Sequence, residues 1–536
     1  MSLAHDENGD DFMKLLEANH IKHFVNDRLL IDVEQLQIHK SDRIGLVGKN
    51  GSGKTTLLNI LAKAQAPDSG TVATHAICEL LPQLKQMDTT TRSGGEVTQD
   101  YITKSLAKNP AILFADEPTT NLDTNHIEWL EKKLKNWQGA FVIVSHDRAF
   151  LDALCTTIWE IDEAHIKEYK GNYSDYMEQK ELAHRQHEMA YEKYEKKKSQ
   201  LEEALKLKEK KAARATKAPK KVSPSEAKIT GAKPYFAKKQ KKLNKAAKAI
   251  ETRLEKLEKV EKVKDVTPVK MNLPNEEAFK NRIILRITDM SGEIGNRILW
   301  KPISFHVRGG DKLAIIGSNG CGKTTLAKKM INHDKGITIS PTMKIGYFSQ
   351  NLTILNSEKS ILKNVSSTSK QTETFIRIVL ARLHFFRDDV YKQVKVLSGG
   401  ERVKVALAKL FVSDINTLIL DEPTNFLDIE AVEALESLLQ EYEGTVIFVS
   451  HDRRFVENIA TRILSFDNNE ITIFNGTYAD FKRFEPQEKR DSKEDQRLLL
   501  ETKISEVLSR LSIEPSEELE MEFQKLLKEK RELDQQ

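Results

Sequence analysis

Two glycine-rich octapeptides carry the chemistry most directly readable in this sequence: GKNGSGKT at Gly48–Thr55 and GSNGCGKT at Gly317–Thr324. Both fit G-x-x-x-x-G-K-[ST]. In that pattern the glycines let the backbone curl and turn its N–H groups toward phosphate, the lysine reaches the β- and γ-phosphates, and the hydroxyl is offered to magnesium. Lys54 and Lys323 are therefore the expected phosphate lysines, and Thr55 and Thr324 the expected metal hydroxyls. Each octapeptide follows a short apolar run (IGLV, LAII) and precedes a helical pattern. It thus joins a strand to a helix whose N-terminus adds a positive dipole end.

The octapeptides open a five-part series that occurs twice in the same order. A glutamine in an extended segment follows (Gln83, Gln350), then SGGE (Ser93–Glu96, Ser398–Glu401). An apolar run then ends in DEPT (Asp116–Thr119, Asp421–Thr424), with Leu-Asp beyond it, and another ends in SHDR (Ser145–Arg148, Ser450–Arg453). One such match arises by chance; an ordered series of five occurring twice does not. The chain is an internal repeat.

The block VKVLSGGERVKVALAKLFVSDINTLILDEPT (Val394–Thr424) resembles the signature-to-Walker-B region of the ABC ATPase family. The resemblance implies an α/β fold of two tandem ABC-type P-loop ATPase domains, with ATP and Mg2+ as cofactors. It implies that Asp116 and Asp421 hold magnesium, together with Thr55, Thr324, Gln83 and Gln350. Glu117 and Glu422 would be general bases for the attacking water, and His146 and His451 would contact the γ-phosphate. Nucleotide contacts would come from Gly48, Asn50, Gly51, Gly53 and Thr56, and from Gly317, Asn319, Gly320, Gly322 and Thr325. Family signatures face the opposite domain's nucleotide, so Ser398, Gly399 and Gly400 would complete the first P-loop's site. Ser93, Gly94 and Gly95 would complete the second. Adenine would stack on Phe24 in the first half. The matching stretch of the second half, Glu293-Ile294-Gly295, has no aromatic. Two further departures are Arg92 where the family has leucine, and an interval of ten positions from Gln83 to Ser93 against a far longer one from Gln350 to Ser398.

The remaining sequence must position these parts. At 536 residues, a prior of three or four domains applies. No stretch approaches 18 apolar residues, and the acidic start MSLAHDENGDDF is not a signal peptide. Cys78, Cys155 and Cys321 show no paired spacing, so reduced thiols are expected. Residues 177–214 are rich in Glu, Lys, Gln and Ala. His184, His187, Tyr191, Tyr194, Lys198, Leu201 and Leu205 mark one stripe of a long helix, and Leu243, Ala247, Ile250, Leu254 and Leu257 mark a second. Together they read as an antiparallel coiled-coil hairpin, with Pro219, Pro224, Gly231 and Pro234 in its turn. From Lys206 to Lys248 there are sixteen Lys or Arg against two Glu, a positive excess that suits an RNA partner, with Tyr235 and Phe236 beside it. Near the C-terminus, Arg497–Leu511 and Ser516–Leu533 predict two helices broken at Pro515.

Tandem ATPase domains on one chain with a long helical pair between them resemble the ABC-F family of ribosome-associated ATPases. The short first subdomain, KMNLPNEEAF (Lys270–Phe279) and the C-terminal segment Glu501–Glu520 look like its antibiotic-resistance members of the Vga type. The expected layout is a disordered tail (1–12), a first ATPase domain (13–176), a helical linker (177–275, tip near 213–236), a second ATPase domain (276–485) and a C-terminal helical extension (486–536). The resemblance implies a cytoplasmic monomer that closes on ATP in the exit site of the 70S ribosome, touching large-subunit rRNA and tRNA, with no DNA and no transmembrane partner. It would thereby protect the peptidyl-transferase centre from lincosamides, pleuromutilins and group A streptogramins. A housekeeping ABC-F factor is the alternative. An efflux-pump subunit and a coiled-coil DNA-repair ATPase fit the linker and the two complete ATPase halves less well.

Overall fold

The computed structural model describes residues 13–82, 94–120, 122–215, 232–260, 280–295, 297–349, 352 and 354–483, and single positions at 507, 523, 524, 526, 527 and 530. The first half runs β1 (Lys14–Val25), β2 (Arg28–His39), β3 (Arg43–Gly48), α1 (Lys54–Leu61), β4 (Ser69–Thr74), β5 (Cys78–Leu81), α2 (Gly94–Ala107), β6 (Ile112–Asp116), α3 (Thr124–Lys135), β7 (Ala140–Val144), α4 (Arg148–Leu154), β8 (Thr157–Asp162) and β9 (His165–Lys170). The linker is α5 (Tyr173–Ala215) and α6 (Ala232–Glu255). The second half runs β10 (Ile283–Ile294), β11 (Arg297–Arg308), β12 (Lys312–Gly317), α7 (Lys323–Asn332), β13 (Ile337–Ile339), β14 (Ile345–Phe348), α8 (Ile361–Ser366), α9 (Glu373–Arg382), α10 (Gly399–Val412), β15 (Thr417–Asp421), α11 (Ile429–Glu441), β16 (Thr445–Val449), α12 (Arg453–Ile459), β17 (Arg462–Asp467), β18 (Glu470–Asn475) and α13 (Tyr478–Arg483).

Each half is built on a six-stranded sheet, β5-β6-β7-β3-β8-β9 in the first and β14-β15-β16-β12-β17-β18 in the second. Pairing is parallel except at the last strand of each. The inner strands ILFAD, AFVIV, TLILD and TVIFV are buried at every position, as unbroken apolar runs require when a sheet is covered on both faces. The P-loops leave the carboxyl ends of β3 and β12. The Asp-Glu and Ser-His pairs leave the carboxyl ends of β6, β7, β15 and β16, so sheet order gathers them at one edge. A three-stranded antiparallel sheet, β2-β1-β4 or β11-β10-β13, covers each P-loop. In the first half its hairpin turns at Asn26 and Asp27, both with positive φ, which suits a tight two-residue connection.

The second half carries an extra helical layer, α8 and α9 with two short 3-10 turns, packed with α10 in one continuous core. The corresponding first-half interval, 83–93, lies outside the described residues.

In the linker, α5 and α6 pack on each other along the stripes read from the sequence. Tyr191, Tyr194, Leu201, Leu205, Leu243, Ala247, Ile250, Leu254 and Leu257 are all half-buried, whereas His184 and His187 are exposed. Helix length accounts for this. At 1.5 Å per residue α5 is roughly 64 Å long and α6 roughly 36 Å, so α6 ends before it reaches the first turns of α5. Pro234, expected in the turn, lies instead in the first turn of α6, where its missing N–H has no intrahelical partner to lose. The rest of the tip, and the C-terminal hairpin apart from single positions, lie outside the described residues. Of those positions, Val507 and Leu526 are buried.

Candidate functional site

Gly53 and Gly322 end the two P-loops with φ of 103° and 112°, a conformation that favours glycine. A Cβ there would meet Leu30 at 2.9 Å or Trp300 at 2.7 Å, so the covering hairpins also demand the missing side chain. At Gly51 and Gly320 an added Cβ would meet nothing within 4 Å, which leaves the mouth of each loop open to a ligand. Lys54 and Lys323 are buried. Lys54 donates to the carbonyls of Gly48 and Lys49 at 2.6 and 2.9 Å, and Lys323 to those of Gly317 and Ser318, both at 2.9 Å. Burial lowers the Lys54 pKa. Thr56 and Thr325 are half-buried one turn along.

The Thr55 hydroxyl donates to Asp116 at 2.7 Å and that of Thr324 to Asp421 at 3.0 Å. Burial raises both aspartates. The next residues, Glu117 and Glu422, have φ of 51° and 49°, a left-handed backbone that strains a non-glycine residue. Each carboxylate faces its half's histidine, with Glu117 to His146 at 3.2 Å and Glu422 to His451 at 3.3 Å. Burial pushes both glutamates up to about 8, against the opposing charges of Lys54 and Lys323. It pushes His146 down to about 4 and His451 to about 3. The buried Glu117 Oε1, His146 Nδ1 and His451 Nδ1 make no hydrogen bond. Groups of this kind in native structures call for a partner from outside the protein.

The halves face each other across reciprocal contacts. Asp123 caps α3 and accepts from the backbone N–H of Asn319 in the second P-loop at 2.9 Å. Asp428 caps α11 and accepts from the N–H of Asn50 in the first P-loop at 3.1 Å. Burial works against both carboxylates. Amide donors, with Lys404 beside Asp428, nevertheless hold them below their ordinary values. Asn50 also donates its side-chain N–H to the carbonyl of Phe426 at 3.1 Å, and a Cβ at Gly400 would lie 3.2 Å from that Asn50 nitrogen. The second half's signature is therefore at the first P-loop. Locally it is a helix cap: Ser398 Oγ accepts from Glu401 N–H and the Glu401 carboxylate accepts from Ser398 N–H. SGGE is thus a capping box that opens α10. Deeper in, Arg148 pairs with Glu436 and Arg453 with Glu131. Asp452 lies 3.9 Å from Arg148 and Asp147 4.0 Å from Arg453. Burial pushes Asp452 up to about 6.

Of the residues singled out in the sequence, the structure gathers Asn50, Lys54, Thr55, Asp116, Glu117, His146 and Gly400 around one P-loop. It gathers Asn319, Lys323, Thr324, Asp421, Glu422 and His451 around the other. Gln83, Ser93 and Gln350 lie outside the described residues, and Gly94 and Gly95 begin α2. Phe24 lies at the end of β1 and is 48% exposed, free to present its ring. Asp123, Asp428, Arg148 and Arg453 belong to the repeated series but were given no role there, and Glu131 and Glu436 were not singled out. The signal of the aspartates is present, since each precedes a helical pattern as an N-cap, but that reading says nothing of a partner across an interface. Hard oxygen donors on Thr55, Asp116, Thr324 and Asp421 suit Mg2+. No group of three or more His, Cys, Asp or Glu forms a metal cage among the described residues.

Comparison with known proteins agrees with this geometry. A family model described as ABC transporter matches residues 32–80 and 300–425, and a second of that description matches 159–227. Ribosome protection protein VmlR of Bacillus subtilis (strain 168) is 30% identical over 561 residues, covering 98% of this chain and 99% of its own length. Erythromycin resistance ATP-binding protein MsrA of Staphylococcus epidermidis is 34% identical over 481 residues, covering 83% and 96%. ATP-binding protein Uup of Escherichia coli (strain K12) is 29% identical, covering 85% and 81%. Among solved structures, RNase-L Inhibitor has a TM-score of 0.57 at 17% identity over 87% of this chain and 92% of its own, a likeness of fold alone.

Proposed function

The chain belongs to the antibiotic-resistance ABC-F family of ATP hydrolases, and on that premise we propose that it is a two-site ATP clamp that acts on the ribosome. The carrying observation is the reciprocal pair of contacts, Asp123 on Asn319 and Asp428 on Asn50. Each P-loop is held by the other half, so each site is complete only when the halves meet. Lys54 and Lys323 neutralise phosphate charge. The P-loop amides and the α1 and α7 N-termini bind the phosphate oxygens. Thr55 with Asp116, and Thr324 with Asp421, hold the site of Mg2+, which when bound screens the charge that develops on the leaving phosphate. Glu117 and Glu422, as carboxylates, take a proton from the attacking water. His146 and His451 orient those carboxyl groups. Gly400 and the capped start of α10 close the first site over its nucleotide. Ser93–Gly95 do the same at the second. Closure and release on hydrolysis give two states.

The basic stretch Lys206–Lys248 supports an RNA partner, since Lys and Arg in such excess bind by neutralising phosphates. Ribosome protection and antibiotic resistance in the printed names of two relatives support the ribosome as that partner, with large-subunit rRNA and tRNA under the linker and a cytoplasmic location. Protection against lincosamides, pleuromutilins and group A streptogramins is the finer reading. Uup, an ATP-binding protein by name, keeps a housekeeping ABC-F role as the second reading.

The test is the doubly substituted Glu117→Gln/Glu422→Gln protein. With ATP it is expected to co-purify with 70S ribosomes, and recovery with membranes or free of ribosomes would refute the reading. Expression of the wild-type chain in a sensitive host separates the two roles. A raised inhibitory concentration for the three drug classes, with erythromycin as comparison, supports protection, and unchanged susceptibility to all of them supports the housekeeping role.

A further inference from the structure

The root of the linker is fastened to both ATPase halves. On its own side, Tyr176 donates its hydroxyl to Glu160 at 2.8 Å, Lys180 donates to the same carboxylate at 2.7 Å, and Tyr169 reaches its other oxygen at 3.2 Å. These bonds bolt the first turns of α5 to β8 and β9. On the far side, the buried Tyr173 donates to Glu433 of α11 at 3.3 Å. Arg454 of α12 donates to Ser174 Oγ at 2.7 Å, pairs with Asp152, and lies 5.6 Å from the centre of the Tyr173 ring. Lys180 is 3.8 Å from Glu430, which is 3.5 Å from Lys49 beside Asn50. Those last two pairs are half-exposed and contribute little; the buried ring of Tyr173 and the less exposed contacts of Arg454 carry the joint.

The second half offers a control within the same molecule. Asp116 and Asp421, like Arg148 and Arg453, are equivalent positions 305 residues apart. The same spacing sets Tyr478 of α13 against Tyr173, and Ala149 against Arg454. The Tyr478 root does cross to the other half, through Lys482 to Glu128 at 2.8 Å, but its counterpart of Arg454 is alanine. The arginine clamp belongs to the linker's root alone.

We propose that Tyr173 and Arg454 are positioning residues through which closure of the two halves sets the pose of the linker. Glu433 and the Asp428 that meets Asn50 are carried on the same helix, α11. The surface on which the linker root rests therefore moves with the half that closes on the first P-loop. When the halves part, Arg454 and Glu433 leave, and α5 keeps the bonds to its own half alone: those to Glu160, those of Ser174 to Asp152 and that of Gln179 to the Lys170 carbonyl. The inference deepens the clamp reading and rests on its closure step.

The test uses full-length protein carrying Glu117→Gln/Glu422→Gln, with bio-orthogonal spin labels at the exposed positions Ser199 and Lys335 for linker pose, and at Ala66 and Lys335 for closure. With ATP, both distances are expected to be narrowly distributed. Adding Tyr173→Phe and Arg454→Ala is expected to leave the Ala66–Lys335 distance as it was and to broaden the Ser199–Lys335 distribution at least ~2-fold. In the protein with its catalytic glutamates intact, the same two substitutions are expected to lower ribosome-stimulated hydrolysis roughly tenfold while nucleotide-only turnover stays within about twofold. A linker distribution as narrow in the variant as in its parent overturns the inference. If ATP fails to shorten Ala66–Lys335 in the parent, the closure reading falls and the joint with it. Arg454→Ala alone, which copies what stands at position 149, gives the same readout without touching the buried tyrosine.

Discussion

The first and second ATPase halves differ most in the segment between β14 and α10 and least at their catalytic stations. From the SGGE tetrapeptide to the SHDR motif every equivalent position is 305 residues apart, while the P-loops are 269 apart. The difference is taken up between β14 and α10, where the second half inserts α8, α9 and their short turns and the first half has a brief segment. Parallel strands place the Asp-Glu and Ser-His pairs, so an insertion at the sheet's side leaves them in register. The catalytic stations match closely, at 3.2 and 3.3 Å between glutamate and histidine, with left-handed backbone at both glutamates. The interface repeats too, with Asp123 answering Asp428 and Arg453–Glu131 answering Arg148–Glu436. The Asp–amide and Arg–Glu contacts between the halves repeat, whereas the inserted helices and the Arg454 contact at the linker root do not.

The largest effect tests whether the matched stations are matched in use. The double substitution Glu117→Gln/Glu422→Gln is expected to lower steady-state hydrolysis roughly a hundredfold to ten-thousandfold, the range for losing a general base. Each single substitution is expected to lower it by a similar factor to the other. A single change that leaves turnover intact would show that equal geometry conceals unequal work.

Next comes the buried latch. Removing one partner of a buried ion pair leaves the other charge unmatched at a cost of about 3–5 kcal/mol. Arg148→Ala is expected to weaken ATP-driven closure by that order, read from the ATP concentration needed to reach the closed state. Arg453→Ala should cost less, because the Arg453 side chain is 16% exposed and that of Arg148 only 4%. Equal losses would mean that the two pairs are equally desolvated when the nucleotides are in place.

The capping aspartates should follow. Losing an N-cap costs about 0.5–2 kcal/mol. Asp428→Ala is expected to lower the melting temperature in ATP more than Asp123→Ala, since the further partner of Asp428 is the Lys404 ammonium at 3.5 Å and that of Asp123 is the His126 ring at 2.6 Å. The reverse order would place the greater strain at the second P-loop.

The comparison also marks where sequence reasoning reaches and where it stops. The P-loop pattern located Lys54 and Thr55, and the resemblance to the ABC ATPase family, carried by a series repeated twice, located Asp116, Glu117 and His146. The stripes at Tyr191 to Leu205 and Leu243 to Leu257 were equally plain, since burial follows helical period. Glu436, Tyr173 and Arg454 carry no such mark, and Arg148, though it closes the SHDR motif, carries none of a partner in the other half. Their contacts across the halves span 260 to 302 residues of chain, and a side chain on a helix reads as solvated until the opposite half is in place. Pro234 misled for the reverse reason, since proline signals a break in a helix and also suits its first turn.

The smallest expected effect concerns the nucleotide base, where the two hairpin tips differ in residue type. Phe24 is 48% exposed at the end of β1. At the equivalent hairpin tip of the second half, Ile294 and Ile298 are 60% and 54% exposed, with no aromatic residue beside them in sequence. A ring stacked on a flat base gains about 0.5–1.5 kcal/mol beyond its buried area. Phe24→Ala is therefore expected to weaken ATP binding at the first site by a fewfold to roughly tenfold and to narrow its preference for ATP over GTP. Ile294→Ala, which removes only aliphatic contact, should change binding at the second site by less and leave its base preference as it was. Titration of a fluorescent ATP analogue, with the other site disabled by Lys323→Ala or Lys54→Ala, separates the two. If Ile294→Ala costs as much as Phe24→Ala, the hairpin tips are interchangeable platforms, and the absence of an aromatic residue from the second half is without consequence for the base.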